Sequence, residues 1–386
     1  MTESSNRPVK GALDGFRVID LSRVLAGPFC TQILGDHGAD ILKVESLAGD
    51  ETRNWGPPFI GDTAAYFHGV NRNKRSIALD LSHADQRGAL LDIIAHADVV
   101  IENFKAGTMA RWGMDYAALT ERFPSLVYCK ITGFGDDGPL GGMPGYDAAV
   151  QAMSGLMSVN GEGDGPPLRM GVPIVDLVTG LNSAIGILLA LIERSKSGRG
   201  QLVDMTLYDC ALSLLHPHSA NYLTAEIEPL RSGNAHPNIT PYDCFATATE
   251  PVFLAIGTDG QFAKFCEIVG RAELSTDPDY RTNGDRNVHR DQLRKEIGGV
   301  LATCAGKELV QRLMKAGVPC APVLTVSQAL THEHSAHRRM IVDDGLYRGI
   351  ASPIKLSATP ASFNCRPPDR PRYDPETING LRNMWP

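Results

Sequence analysis

The chain has 386 residues, of which 43% are hydrophobic and 21% are charged, a composition typical of a globular protein with a sizeable core. At about 150 residues per domain, this length predicts two to three domain-sized units. The 44 acidic residues outnumber the 37 basic ones and leave a formal net charge of −7. This charge argues against a general binder of nucleic acid or of anionic membranes. An anionic ligand would therefore need a local basic cluster.

The N-terminal residues and the cysteines both favour a cytoplasmic protein. The first 15 residues lack the apolar segment of a secretory signal. The longest apolar stretch, Ile174–Ile192, is interrupted by Asp176 and Asn182, which favours a buried helix over a membrane span. Eight cysteines occur without C-x-x-C spacing, and this favours reduced thiols over disulfides or zinc ligands.

Short strand-like runs alternate with helix-like segments through the first two hundred residues. Such alternation predicts an α/β fold with a mostly parallel, doubly wound sheet. Ser82 is a plausible N-cap for the second helix. The predicted strands are Phe16–Leu21, Ala39–Glu45, Ser76–Leu81, Asp98–Phe104 and Leu126–Thr132, and the predicted helices are Pro28–His37, Ala84–His96 and Thr108–Phe123.

Beyond Gly133 the sequence changes character. Two loops rich in glycine and proline precede a long predicted helix, Val175–Ser195, which ends before Gly198. A strand at Gln201–Leu207 follows. The segment Asn221–Asp243 is predicted to be a linker, and the residues after it indicate a separate, smaller domain.

Several common motifs are missing from the sequence. The turn after the first strand, SRVLAGP, contains no G-x-G-x-x-G, which argues against binding of a nicotinamide or flavin dinucleotide. Walker A and G-x-S-x-G motifs are also missing. The histidines have no H-E-x-x-H spacing and no supporting cysteines, so no metal site is predicted. A doubly wound sheet still offers a ligand crevice at the carboxyl ends of its strands.

Basic and amide side chains near the predicted strand ends are candidates for a phosphate-bearing ligand. They belong to Asn71–Arg75, to Glu102–Lys105 and to Arg111. Lysine and arginine supply charge-assisted hydrogen bonds to phosphate. The alternative is a solvated charged rim, and the residues by themselves favour it.

Asp176 is the unusual carboxylate of the sequence, because it lies among apolar residues where a helix begins. One interpretation is an N-cap whose side chain accepts backbone N–H groups. The other is a nucleophile that those amides and the helix dipole keep ionised in a poorly solvated place. Local sequence favours the cap.

At these positions the chain resembles the family III CoA-transferases, which include formyl-CoA transferases and the related α-methylacyl-CoA racemases. The resemblance runs over nearly the whole length. The matching segments are VIDLSRVLAGPFCTQILGDHGADILKVE, GDETRNWGPP, NRNKRSIALDL, DVVIENFKAGTMARWG, GYDAAVQAMSG, the segment around Asp176, GRGQLVDMTLYD and GVPCAPV.

The resemblance implies an architecture. A large Rossmann-like domain would contain residues 1–220, followed by a linker at 221–243 and a smaller α+β domain at 244–323. Residues 324–386 would form a second linker and return to the large domain. Members of the family form interlocked homodimers, so we expect one here, with the active site between the large domain of one subunit and the small domain of the other.

The resemblance also implies a reaction. Asp176 would attack an acyl-CoA thioester to give a mixed anhydride and then an aspartyl-CoA thioester, from which CoA passes to a free carboxylic acid. Coenzyme A is then a substrate, and no prosthetic group or metal is expected. Short dicarboxylic acids such as succinate, itaconate, mesaconate or citramalate are the acids that relatives suggest.

The implied CoA-contacting positions follow the strand ends. Ser46 stands where relatives often have an arginine near the adenine. Trp55 and the Gly233–Asn238 loop, including His236, match the region of the active-site loops of formyl-CoA transferases, with a different loop sequence here. The CoA-contacting positions are Leu25, Ala26, Leu79, Asp80, Leu81, Ser82, Asn103, Phe104, Lys105, Arg111 and Tyr146.

Two other functions remain open. A racemase of this family uses the histidine of a G-H-D pattern, whereas this chain has Gly145-Tyr146-Asp147. A phenol is a poorer general base than an imidazole near neutral pH, so the sequence favours CoA transfer over racemisation. A non-catalytic CoA-binding protein is the alternative from another class, and the presence of Asp176 argues against it.

Overall fold

A computed structural model describes residues 11–345, 347–376, 380 and 385. The chain divides into two compact units. The first contains the chain up to Ser154, Met170–Leu214 and the chain from Glu333 onward, and the second contains Gly155–Arg169 and Leu215–His332. The division into domains and linkers expected from the resemblance stays a prediction.

The strands are short and are numbered along the chain. They are β1 (Arg17–Asp20), β2 (Asp40–Glu45), β3 (Phe59–Ile60), β4 (Thr63–Ala64), β5 (Lys74–Ala78), β6 (Val99–Glu102), β7 (Val127–Thr132), β8 (Leu202–Thr206), β9 (Tyr242–Phe245), β10 (Val252–Ala255), β11 (Cys320–Pro322), β12 (Ile341–Asp343) and β13 (Arg348–Ile350).

The helices are numbered in the same way. They are α1 (Ala26–Asp36), α2 (Ala65–His68), α3 (Ala84–Ile94), α4 (Thr108–Arg111), α5 (Tyr116–Arg122), α6 (Asp147–Met153), α7 (Ile174–Ser197), α8 (Leu207–Ser213), α9 (His218–Ala225), α10 (Asp259–Ile268), α11 (Asn283–Val288), α12 (Arg290–Leu301), α13 (Gly306–Lys315), α14 (Val326–Thr331) and α15 (Glu333–His337).

The first unit is built on a parallel sheet, as the alternation of strands and helices predicts. Within the described residues the strand order is β5-β2-β1-β6-β7-β8, and every neighbouring pair is parallel. Apolar side chains of β1 and β6 are almost completely buried, as expected for a sheet covered on both faces. The chain turns in opposite directions on leaving β1 and β6, which places a crevice at their carboxyl ends.

Two predicted helix features are wrong in detail. Helix α3 has His83, not Ser82, at its N-cap, and no side chain caps it. The single helix predicted over Thr108–Phe123 is two helices, α4 and α5, because Gly113 between them has φ +66°, a conformation that favours glycine and that no helix continues through.

Helix α7 is the long apolar helix that the sequence predicts. It ends at Gly198, whose φ is +72°, the left-handed conformation common after a helix. Its length and a mean hydropathy of 2.0 over 18 residues are also those of a membrane span. One face packs against α1 and β7, with Val175, Thr179 and Ile187 buried, and the buried core helices of globular proteins have the same composition.

The second unit contains an antiparallel sheet in the order β11-β10-β9 within the described chain. Helices α10, α12 and α13 supply apolar side chains to its core. The buried side chains from these helices include Phe262, Phe265, Leu293, Ile297, Leu301, Leu309 and Leu313.

Candidate functional site

A cavity of about 240 Å³ lies where β1 and β6 end, at the crevice that the strand order creates. We name it the Asp176 cavity. The turn after β1, the turn after β6 and the loop before α6 form its walls. The predicted site residues in its lining are Leu25, Ala26, Asn103, Phe104, Lys105, Tyr146 and Asp176.

A second cavity, of about 370 Å³, lies between the ends of β2 and β5 and the turn after β6. We name it the Leu79 cavity. It contains Ser46, the position expected near adenine, and the aromatic side chains of Phe104 and Trp112. The other predicted site residues in its lining are Leu79, Asp80, Leu81 and Ser82.

Asp176 is not the N-cap of α7, so this interpretation of the sequence is wrong. The helix begins at Ile174, and Asp176 lies in its first turn. The backbone N–H groups of Val175 and Asp176 donate to Oδ2 of Asp147, at 2.8 and 3.2 Å. Asp147 is buried and also accepts from Nε2 of Gln151 at 2.6 Å. A carboxylate from α6 therefore caps α7 and leaves the Asp176 side chain available.

The expectation that helix amides keep Asp176 ionised is also wrong. Burial raises the pKa of Asp176 to about 7, and the like charge of Asp147 adds to the effect. The helix amides are already engaged by Asp147, and no described residue donates a hydrogen bond to the Asp176 carboxyl. Asp176 is thus a partly desolvated carboxylic acid that titrates near neutral pH, an unusual property that often marks a functional site.

Asn103 does not have a free amide. Its Oδ1 accepts from the backbone N–H of Arg23 at 2.8 Å, and its Nδ2 donates to the carbonyl of Arg23, also at 2.8 Å. This pair of bonds ties the turn after β6 to the turn after β1. Val24, next to Arg23, has φ +68°, which is strained for a β-branched residue.

Of the basic residues predicted to bind phosphate, only some lie near the two cavities. Lys105 is exposed and lines the Asp176 cavity. Arg111 is exposed, donates to Oγ1 of Thr108 at 3.1 Å and lies outside both cavity linings. The basic residues of Asn71–Arg75 lie at the amino end of β5 or within it, away from the carboxyl ends where the cavities are.

Within that basic segment, Arg72 and Lys74 are structural. Arg72 is buried and bonded to Asp36 at 2.6 Å. Lys74 pairs with Asp20 at 3.1 Å and also donates to the carbonyl of Pro28 at 2.8 Å. Buried cations with such partners are occupied inside the fold, so they are not the phosphate ligands that the sequence suggests.

Trp55 lies beside a tyrosine that the sequence reasoning missed. Its ring meets that of Tyr66 edge-on, with centroids 5.2 Å apart. Burial raises the pKa of Tyr66 to about 12, with further contributions from Asp176, Asp147 and Asp50. Tyr66 is therefore within electrostatic reach of Asp176. Its sequence context, AAYFHG, carries no recognisable signal.

Gly233 and His236 lie in the second unit. The guanidinium of Arg290 donates to the carbonyls of His236 and Pro237, at 2.7 and 3.1 Å. His236 Nδ1 accepts from the backbone N–H of Asn238 at 3.0 Å, which leaves the proton of the neutral ring on Nε2. Burial, Arg290 and two nearby histidines lower the pKa of His236.

Two further residues at the site were not predicted from the sequence: Asp147, which caps α7, and Arg23, which lines both cavities. Asp147 directly follows Tyr146, but nothing local shows which helix a buried carboxylate caps. Arg23 follows β1 at a turn where sheets of this kind bind ligands, and this position was the available signal. No group of three potential metal-ligating side chains occurs in the described ranges.

The geometry defines a ligand-binding α/β protein with a carboxylic acid in its crevice, suited to nucleophilic or proton-transfer chemistry. The chain belongs to CoA-transferase family III, which it matches over residues 13–372. It is accordingly a CoA-transferase, a transferase of sulfur-containing groups.

Individual relatives agree with this assignment. The chain is 40% identical to a succinate–glutarate CoA-transferase of Agrobacterium fabrum, over 100% of this chain and 98% of the relative. It is 40% identical to a succinyl-CoA:mesaconate CoA-transferase of Haloarcula hispanica, over 93% of each. A solved CAIB/BAIF family protein from Brucella suis is similar in structure, with a TM-score of 0.86, 40% identity and coverage of 96% of this chain and 100% of that protein.

Proposed function

We propose that this protein transfers CoA from an acyl-CoA donor to a free dicarboxylic acid through covalent intermediates on Asp176. The observation that carries the proposal is the Asp176 carboxyl, which lines the crevice cavity and has a pKa near 7. A basic carboxylate in a poorly hydrated cavity is a stronger nucleophile than one in water.

The reaction proceeds by attack of one Asp176 oxygen on the thioester carbonyl. The carbon–sulfur bond breaks, CoA leaves as its thiolate, and a mixed anhydride remains. The thiolate then attacks the γ-carbonyl of Asp176, which releases the donor acid as its carboxylate and forms an aspartyl-CoA thioester. The acceptor carboxylate reverses these two steps and leaves as the new thioester.

Support for dicarboxylic acids comes from the relatives, whose names include glutarate, mesaconate and citramalate. A cytoplasmic location stays a prediction.

A mass-spectrometric exchange assay tests the proposal. Succinyl-CoA is incubated with glutarate, mesaconate or citramalate, and the new CoA thioester is measured. We expect exchange by the native protein and a loss of at least about 10³-fold in kcat for Asp176→Asn, since no other group forms the anhydride. Hydroxylamine should label Asp176 during turnover.

The matched control is Asp204→Asn, which removes an exposed aspartate outside both cavities and should keep the native rate. Native exchange by Asp176→Asn would disprove the covalent mechanism. Solvent deuterium entering the α-carbon of an acyl-CoA without any acceptor acid would favour a racemase, and CoA binding without exchange would favour a non-catalytic protein.

We also propose that the protein is an interlocked homodimer. The support within this chain is an apolar stripe on the solvent side of α7. It consists of residues between 41% and 61% exposed, which recur at helical spacing: Leu181, Ile185, Leu189 and Ile192. A contiguous exposed apolar surface of this kind is typical of a subunit interface.

A further inference from the structure

Arg23 and Phe104 are the two residues common to the linings of the Asp176 cavity and the Leu79 cavity. Both follow strands at the point where the sheet changes direction, Arg23 after β1 and Phe104 after β6. A ligand that occupies both cavities must therefore pass these two side chains.

The backbone around Arg23 is held in a defined conformation. The Arg23 backbone N–H donates to Asn103 Oδ1, and Asn103 Nδ2 donates to the Arg23 carbonyl. The next residue, Val24, has a positive φ of 68°. Strained backbone of this kind persists where surrounding contacts impose it, and it is frequent at ligand sites. The two hydrogen bonds with Asn103 thus set the direction in which the Arg23 side chain leaves the turn.

The Arg23 guanidinium differs from the cations buried nearby. Lys43 and Arg53 pair with carboxylates at 3.0 and 2.7 Å. In contrast, Arg23 Nε is buried and has no hydrogen-bond partner among the described residues. A buried donor without a hydrogen-bond partner is destabilising, and an incoming anion that accepts from it would remove this cost.

Phe104, the aromatic neighbour of Arg23, is also fixed by contacts with surrounding residues. The Arg23 guanidinium carbon lies 5.7 Å from the centroid of the Phe104 ring. That ring meets Trp112 edge-on at 5.3 Å, and the backbone N–H of Phe104 donates to Glu102 at 2.7 Å. The cation therefore faces both cavities from a prearranged position, which lowers the entropic cost of binding.

We propose that Arg23 binds the diphosphate of CoA at the junction of the two cavities, and that Asn103 is a positioning residue that acts through the Arg23 turn. This assignment rests on the proposed use of CoA thioesters. The thiol arm would occupy the Asp176 cavity and the adenosine the Leu79 cavity. Arginine suits this position because its planar fork of donors bonds two phosphate oxygens at once.

Three ligands separate the phosphates of CoA: CoA itself, 3′-dephospho-CoA, and an S-acyl-pantetheine that lacks both the diphosphate and the nucleotide. Calorimetry gives Kd for the first two without turnover. We expect Arg23→Met to raise both Kd values by a similar factor of about 10–100, the loss of one or two charge-assisted bonds. With S-acyl-pantetheine, kcat/KM should be unchanged, which also shows that the variant folds.

The control is Arg122→Met, which removes an exposed arginine that also faces a phenylalanine ring but lies outside both cavities. It should leave all three ligands unaffected. Asn103→Ala should raise Kd for CoA by a smaller factor, and in the Arg23→Met background it should add less than about twofold, because the two residues act as one unit.

Three results would overturn the assignment. Unchanged Kd in Arg23→Met would show that the guanidinium does not contact CoA. A loss confined to CoA and missing with 3′-dephospho-CoA would place Arg23 at the 3′-phosphate. An equal loss with S-acyl-pantetheine would indicate a purely structural role. Failure of the proposed function is separate, since a protein that binds CoA through Arg23 without exchanging it would refute only the transfer mechanism.

Discussion

Two aspartates near the start of α7 have different environments and therefore different roles. Asp147 accepts hydrogen bonds from two backbone N–H groups of α7, whereas the Asp176 side chain, in the first turn of that helix, accepts none from a described residue. The ordinary pKa of an aspartate is 3.8, and that of Asp176 is raised to about 7 by burial and by Asp147. Between these values the folded protein holds a proton that the unfolded chain releases, so stability decreases as pH rises from about 4 to 7.

This linkage predicts that Asp176→Asn stabilises the protein at the expense of its activity. At pH 8 the native carboxylate is ionised in a desolvated place, and the neutral amide avoids that cost. We expect the free energy of unfolding to rise by about 1–3 kcal/mol at pH 8 and by less at pH 5. Urea unfolding at both pH values measures it, and a variant that is less stable than the native protein at pH 8 would contradict the prediction.

At the scale of elements, the site depends on how closely α7 approaches α1. Gly180 lies at this crossing, where a Cβ would be 2.6 Å from the carbonyl oxygen of Ala26 and 3.1 Å from Cδ1 of Phe29. Ala26 of α1 and Asp176 of α7 both line the Asp176 cavity. The missing side chain of Gly180 therefore determines the distance between two walls of the site.

Gly180→Ala is predicted to destabilise the protein although alanine is the better helix former. The clash with a backbone oxygen should outweigh the propensity gain of about 1 kcal/mol and lower the free energy of unfolding by about 1–3 kcal/mol. It should also raise KM for the acyl-CoA. The control is Gly299→Ala in α12, where no atom lies within 4 Å of the new Cβ and a gain in stability is expected. Equal behaviour of the two variants would rule out close packing as the cause.

Across the whole molecule, the apolar stripe of α7 is the feature that a single chain does not explain. Its residues are apolar at the spacing of a helix face, yet they are exposed in the isolated chain. A second copy would remove this area from water at about 25 cal/mol per Å². We therefore expect the native protein to be a dimer at micromolar concentration.

Ile185→Glu should yield monomers in sedimentation velocity, because a charge in the middle of the stripe would be buried without a partner. Val288→Glu is the matched control, since Val288 is also exposed and apolar but lies on α11. A native protein that sediments as a monomer would contradict the proposed dimer.

Much of the fold was predictable from the sequence because it depends on local periodicity. The parallel strands, α7 and its end at Gly198 follow from apolar runs, helical spacing and a glycine in the left-handed conformation. The break between α4 and α5 was missed, since a single glycine inside a helical pattern is often tolerated. The motifs that indicated the family and the role of Asp176 are also short, contiguous segments of the sequence.

The tertiary structure alone decided which side chains are occupied. From the residues alone, Asn103 and Lys74 were candidate ligand groups, and the local sequence of Asp176 favoured a cap. Each assignment changed because a partner distant in the chain, Arg23, Asp20 or Asp147, satisfies or replaces it. Hydrogen bonding and desolvation depend on neighbours in space, so the sequence determined the chemistry available to this protein, and packing decided that Asp176 and Arg23 remain free to use it.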